Sequence, residues 1–468
     1  MFGAPNPFLP LGGANVYPGP TFGGIKTPVG FDYDWDTYFK WQMWLDRLGH
    51  VRTDFSPDHI LRVLPEFNGE TYYLDAAGND ANSGLTQALP KKSFKQASGL
   101  IPVANAAGAP IIVFIKGGFY DINNGWNGGT RFSVPVILIG YGGRPVSSVS
   151  QTAVFTSDGN SYSTTTFTTC GRVADTLNRG VYRDYTEMVE LTTEAEVKAH
   201  VFTSSVGGVW NQDGSKITVR RADGLAPNTA TNTRMFRHSI EGVRCATAGD
   251  TLIYNLEVEG GNNGAVVFDA NASANCWAVG VNAKWAGRPS SPVDQFKIRD
   301  VAFGGFYGCV TAKSMKDGFN FSEGAGTKPI GLTIACSGYD IGSEFSTSCN
   351  ALTYHDGLKG LDINGTYFNC GGGGVALVNP ETQLWCVGTA SRDNYGDEAA
   401  GGNTPPCNFQ GSAEGQVFMS YTISSMNIPG DKDKFDIYQS GGGEVYYEHH
   451  TNLTGTPNRG NQIYEIER

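Results

Sequence analysis

The sequence predicts a mainly β protein, a parallel solenoid of strands behind a small N-terminal segment that holds one amphipathic helix. Three observations predict it. From about Thr251, apolar runs of roughly three to seven residues recur, each broken by Gly, Asn or Asp, at a loose period of about 20-odd residues. The runs are too short for ordinary helices and too evenly punctuated for βαβ units, which need helices of about 10–15 residues between strands. Glycine makes up 63 of the 468 residues, close to twice the usual ~7% share. Aromatics stand at 12% and charged residues at 17%, the reverse of a disordered composition. In such a solenoid each rung hydrogen-bonds to the next about 4.8 Å away, and like side chains stack inside. An irregular antiparallel sandwich is the competing fold.

Residues 1 to about 30 are rich in Gly and Pro and carry little regular structure of their own. A helix is expected near 34–48. Asp34 caps it, Trp35, Tyr38, Phe39, Trp41, Trp44, Leu45 and Leu48 share a face, and Gly49 stops it. That aromatic face either packs on its own domain or docks to another protein. Thr71–Leu74 reads as a strand and Asp75–Gly84 as a turn-rich loop. A short helix near 93–101 follows Pro90, with Phe94, Ala97, Leu100 and Ile101 on one side. Ile111–Ile115 and Val134–Ile139 are buried-type strands. The later runs include Phe296–Val301, Val310–Ala312, Gly331–Ile334, Ala351–Tyr354, Leu361–Asn364, Leu384–Val387 and Val417–Ile423. The expected divisions are 1–67, 68–440 and 441–468, the last supplying closing rungs or a cap.

Several segments carry a resemblance. "YYLDAAGNDANSGLTQALPKKSFKQA", "IIVFIKGGFYD" and "VILIGYGGRP" resemble the start of right-handed parallel β-helix proteins of the pectate-lyase-like class. In that class the short helix caps the open end. "WNQDGSKITVRRADGLAP" (Trp210 to Pro227) resembles a segment that precedes the central coils. "KDGFNF", "SCNALTYHDG" and "GLDINGTYFNCGGGGV" resemble coils of phage tailspikes. The resemblance covers roughly residues 68–440 and implies fold more than reaction. It implies a virion tailspike that binds and cleaves a host surface polysaccharide, capsule or O-antigen, as a homotrimer. Residues 1–67 would dock to virion tail or baseplate proteins. A non-enzymatic adhesin or structural spike, and a bacterial extracellular lyase or hydrolase, remain alternatives.

Net charge is −11, which argues against a nucleic-acid partner. No run of ~18 apolar residues exists, so membrane insertion is not expected. The first residues lack the basic and apolar regions of a secretory signal. The nine Cys form no C-x-x-C pair and read as small buried apolar residues. No metal and no cofactor are expected.

Outward side chains on successive rungs of a solenoid form a column, so two carboxylates on adjacent rungs stand about 5 Å apart and two rungs apart about 9–10 Å. Retaining glycosidases use about 5–5.5 Å and inverting ones about 6.5–9.5 Å. The densest supply of suitable residues is central. Asp317, Asp340 and Glu344 are the first acid/base candidates, with His355 and Asp356 next, and Glu323, Asp362 and Asp393 nearby. Each Asp has an alternative role as a solenoid turn residue capping its own backbone. Trp285, Tyr339, Tyr354 and Trp385 are the candidates for stacking on sugar rings.

Overall fold

The computed structural model describes residues 25–33, 35, 42–58, 60, 69–93, 110–121, 130–132, 134–165, 170–176, 185–199, 208–212, 216–229, 232–237, 240–246, 249–269, 272–288, 291–342, 349–395, 405–426 and 434–466. Through them the chain winds as a right-handed parallel β-helix. Among the described residues its three walls are a twelve-stranded sheet from Glu70–Leu74 to Ile463–Glu465, a ten-stranded sheet from Phe119–Tyr120 to Thr451–Asn452, and a nine-stranded sheet from Thr130–Phe132 to Phe435–Ser440. Rung follows rung in register, so that Phe296, Phe319, Leu352 and Val375 align. These inward positions form ring stacks: Phe296 on Phe319 at 5.0 Å and Phe321 on Tyr354 at 4.4 Å. The repeated sequence runs are therefore strands because each buries alternate side chains only when a like rung lies above and below.

The corners explain the Gly, Asn and Asp punctuation. Asn255, Gly280, Gly308, Ala335, Asn364, Gly388, Tyr421 and His449 each follow a strand of the twelve-stranded sheet, and each has a φ between 50° and 67°. The left-handed corner is thus repeated on eight successive rungs, and glycine or asparagine takes it at least cost. A second such column, at the end of the ten-stranded sheet, runs through Trp285, Lys313, Asp340, Asn369 and Asp393.

The helix expected over 34–48 is corrected in part. Trp35 is helical and 36–41 lie outside the described residues, but Met43–Leu45 is a strand paired antiparallel with Val51–Thr53. Asp46 accepts from the amides of Leu48 and His50 at 2.9 and 3.0 Å and shapes the turn between them. The apolar side chains the helix was to present do find a partner in the same chain. Phe31, Trp35, Met43, Val51, Phe55 and Ile60 pack on the outer face of the twelve-stranded sheet, against Trp277, Phe303, Leu332, Leu361, Trp385 and Phe418. Each such buried side chain contributes about 1.5–3 kcal/mol. The twelve-stranded sheet is therefore apolar on both faces, which a two-period alternation would not give.

Between Val146–Ser148 and Val243–Cys245 the chain leaves the solenoid and forms an inserted unit of two small, mostly antiparallel sheets and the helix Glu194–Ala199. Its own core holds Val173, Met188, Val209, Ile217, Val219 and Met235. Most of the Trp210–Pro227 segment lies here, where Gly208–Gln212 pairs antiparallel with Lys216–Arg220. Beyond residue 440 the rungs continue with Glu444–Glu448, Thr451–Asn452 and Ile463–Glu465. The helix expected near 93–101 falls almost wholly in 94–109, outside the described residues.

Candidate functional site

Asp294, Asp317 and Asn350 each stand two residues before a strand of the nine-stranded sheet, ahead of Phe296, Phe319 and Leu352, which align. The ladder hydrogen bonds extend to them: Gln295 N donates to Asp317 O and Gly318 N to Asn350 O, both at 2.8 Å. The two carboxyl groups therefore hold the same position on adjacent rungs, which are about 4.8 Å apart.

Their surroundings differ. Asp317 is fully buried. Its Oδ1 accepts from Asn350 N at 2.9 Å and its Oδ2 from Asn320 Nδ2 at 2.9 Å. Burial, reinforced by the charge of Asp294, pushes its carboxyl up to about 7. Asp294, only 5% exposed, lies between two ammonium groups, Lys316 Nζ at 3.6 Å and Lys297 Nζ at 3.9 Å. Asp294 in turn holds the Lys316 ammonium above its ordinary range, whereas burial lowers that of Lys297. Asp317 thus keeps its proton up to about pH 7 while the adjacent Asp294 is paired with two lysines, and such unlike surroundings are what separates an acid from a base.

His355 lies beside Asp317. Its Nε2 is 3.2 Å from Asn320 Nδ2 and 4.0 Å from Asp317 Oδ2, and its side chain is 20% exposed. Burial lowers the imidazole below its ordinary value, so the ring is neutral at neutral pH. With Asn320 Nδ2 donating, Nε2 accepts and the proton belongs on Nδ1. The more exposed side chains of the site are Lys297, Lys316 and His355, and the two carboxyl groups are the buried ones.

Of the residues expected from the sequence, Asp317 and His355 are brought together here. Asp356 is next to them but works in a turn: its φ is +62° and its Oδ2 accepts from Glu323 N at 3.1 Å. Asp340 sits at the left-handed corner of the ten-stranded sheet, paired with Lys313 and Asn369 rather than with Asp294 or Asp317. Glu344 lies outside the described residues.

Three of the four sugar-stacking candidates are also corrected, because the side chains are spent on packing. Tyr354 is interior, stacked on Phe321. Trp385 is buried under the N-terminal layer, 6.4 Å from Phe31, with Nε1 donating to Ser420 Oγ at 3.0 Å. Trp285 is buried against Phe236 of the inserted unit at 5.7 Å. Tyr339 stays half-buried on the outer face of the ten-stranded sheet, with one ring face on Phe368 at 5.2 Å.

Sequence reasoning missed Asp294, Lys297, Lys316, Asn320 and Asn350. A signal was present: Asp294-Gln-Phe-Lys-Ile and Asp317-Gly-Phe-Asn-Phe share an Asp two residues before an inward Phe. Aligning rungs on that Phe places the two carboxyl groups together. Among the described residues no group of three or more His, Cys, Asp or Glu side chains is arranged to hold a metal ion.

No family model matches the chain. A search of curated proteins likewise returns no match. Solved structures similar to the chain include one described as a glycoside hydrolase, with 10% identity, 85% of this chain and 96% of that chain covered, and a TM-score of 0.48. Another is the pectate lyase Pel9A, with 13% identity, 83% and 81% covered, and a TM-score of 0.35. A third is the tailspike protein gp49 from Pseudomonas phage LKA1, with 12% identity, 84% and 77% covered, and a TM-score of 0.29.

Proposed function

We propose that the protein is a spike of the phage tailspike kind that binds a host surface polysaccharide along the nine-stranded face and cleaves it. The observation that carries the proposal is the Asp294–Asp317 pair: one position, adjacent rungs, opposite electrostatic surroundings. Asp317 gives its proton to the leaving glycosidic oxygen. Asp294, paired with Lys297 and Lys316, faces the oxocarbenium-like carbon. A one-rung separation fits the ~5–5.5 Å of a retaining pair. His355 and Asn320 lie beside Asp317, and the two lysines suit an acidic sugar in an acidic protein.

The test is release of new reducing ends from purified host capsule or O-antigen. Asp317→Asn and Asp294→Asn each lower the rate by about 100-fold or more, and Asp340→Asn, a turn residue, does not. Retained binding with no new ends from the unaltered chain would leave an adhesin instead.

A second reading is favoured by one observation, the two lysines sharing the single carboxylate of Asp294 beside a neutral His355. A uronate carboxylate held by those lysines, with His355 taking the adjacent C–H proton while the glycosidic C–O bond breaks and its oxygen takes the proton of Asp317, gives elimination and a C=C bond. Ultraviolet absorbance of an unsaturated product separates the two.

The spike reading carries a virion setting, docking through residues 1–67 and a homotrimer. It rests on the coil motifs at Lys316–Phe321, Ser348–Gly357 and Gly360–Val375. Phe31, Trp35, Met43, Val51, Phe55 and Ile60 already cover part of the outer face of the twelve-stranded sheet, so trimer contacts would fall mainly on other surfaces. Light scattering of the purified chain measures the assembly.

A further inference from the structure

The inserted unit touches the solenoid beside the Asp294–Asp317 pair, and one side chain makes the connection. Arg172, on the strand Cys170–Thr176, is buried at the junction. Its Nη1 donates to Ala286 O at 3.1 Å and to Lys313 O at 2.6 Å. Its guanidinium lies 4.9 Å from the centre of the Trp285 ring, and that ring stacks on Phe236 of the same unit.

Ala286 and Lys313 sit at the same corner on adjacent rungs. Trp285, just before Ala286, and Lys313 both have left-handed φ, 69° and 57°. The corner after Ala286 leads to Asp294, and the corner after Lys313 leads to Lys316 and Asp317. Ser314, next to the held carbonyl, completes the tie. Its Oγ lies 3.1 Å from Val293 O and 3.0 Å from Asp317 O, one oxygen from each of the two carboxyl-bearing segments.

A guanidinium has several donors in a fixed plane and can hold two carbonyls at a set spacing, which an ammonium on a flexible stem does less well. We infer that Arg172 of the inserted unit is a positioning residue that fixes the spacing of the Asp294 and Asp317 segments by gripping the two corners that precede them. This rests on the reading of those carboxyl groups as the reactive pair. Arg172 touches no reacting atom. It acts through Ala286, Lys313 and Ser314.

Removing the grip lets the two segments part and admits water, and both changes ease ionisation of Asp317. The groups facing Asp317 are Asp294, Lys316, Asn350, Asn320 and His355, with Lys297 acting through Asp294. The experiment is carbon-13 carboxyl titration of Asp317 in the full chain and in Arg172→Ala, Arg172→Lys and Trp285→Phe. Arg172→Ala is expected to move the Asp317 midpoint down by about 1 unit, the size of a charge neighbour withdrawn from contact range. Arg172→Lys returns part of that shift, and Trp285→Phe moves it in the same downward direction. On a cleaved polysaccharide, Arg172→Ala lowers kcat by about 10- to 100-fold with KM little changed, as displacement by about 1 Å would.

A folded Arg172→Ala with the parental midpoint overturns the inference. If Arg172→Ala does not fold, parental midpoints in both Arg172→Lys and Trp285→Phe overturn it equally. If the unaltered chain cleaves no polysaccharide, the functional reading fails while the titration still decides the grip.

Discussion

Asp317 should make the stability of the solenoid depend on pH in an unusual direction. Its carboxyl is pushed from an ordinary value of 3.8 to about 7 by burial and by Asp294. A raised acid works against folding wherever the unfolded chain has released the proton and the folded one has not. Its contribution is therefore neutral below pH ~4, turns unfavourable as pH rises towards 7, and levels off above that. Three units at about 1.36 kcal/mol each give roughly 4 kcal/mol across the window, an order-of-magnitude figure for a side chain this buried. Asp317→Asn removes the titration while keeping a similar shape. The measurement is the unfolding free energy by denaturant from pH 4 to pH 8 for both proteins. The difference curve should slope so that the parental chain loses stability relative to Asp317→Asn as pH rises. A flat difference curve, or an Asp317 carboxyl resonance that titrates near pH 4, would refute the argument that burial and Asp294 hold the proton.

Other expectations concern the solenoid as a whole. Asp362 is buried inside the coil and accepts from the hydroxyls of Thr333, Tyr367 and Thr389 at 2.5, 2.8 and 2.6 Å. Asp362→Ala orphans three donors and should cost about 3–5 kcal/mol in thermal or denaturant unfolding. Cys245, Cys276, Cys309, Cys336, Cys349, Cys370, Cys386 and Cys407 are buried, and burial pushes the thiols of Cys245, Cys276, Cys336, Cys370 and Cys386 up. A thiol reagent should label them only after denaturation, and rapid labelling of the native chain would contradict that burial. Gly305 lies under Trp277, where an added Cβ would come within 2.2 Å of the indole. Gly305→Ala should displace the indole and loosen the N-terminal layer, read as faster proteolysis of residues 25–60, at a stability cost of about 1–3 kcal/mol.

The winding of the chain was legible because it is a repeat. Runs such as Val310–Ala312 and Gly331–Ile334 are uninformative singly, but recurrence with Gly or Asn between them fixes strand, corner and order together. Asp317 and His355 were legible as polar residues of the right kind in the central coils. Asp340 was equally plausible on that ground, yet it occupies a left-handed corner, a difference of backbone angle that residue type does not encode. Tyr354 and Trp385 failed as ligand-facing rings for a related reason: without the register, an inward ring, a ring covered by another layer and an open ring read alike.

The sequence by itself determined that the chain would coil, because periodic apolar runs can be buried only against their own kind, and that property is local and repeated. Tertiary structure alone decided the rest. Asp294 meets Asp317 only after the chain has made a full turn of the coil, Phe31 and Trp35 reach a sheet hundreds of residues away, and Arg172 arrives from an insertion. A carboxyl becomes an acid or a turn cap according to the neighbours that desolvate and charge it, and those neighbours are distant in sequence and assembled only by the fold.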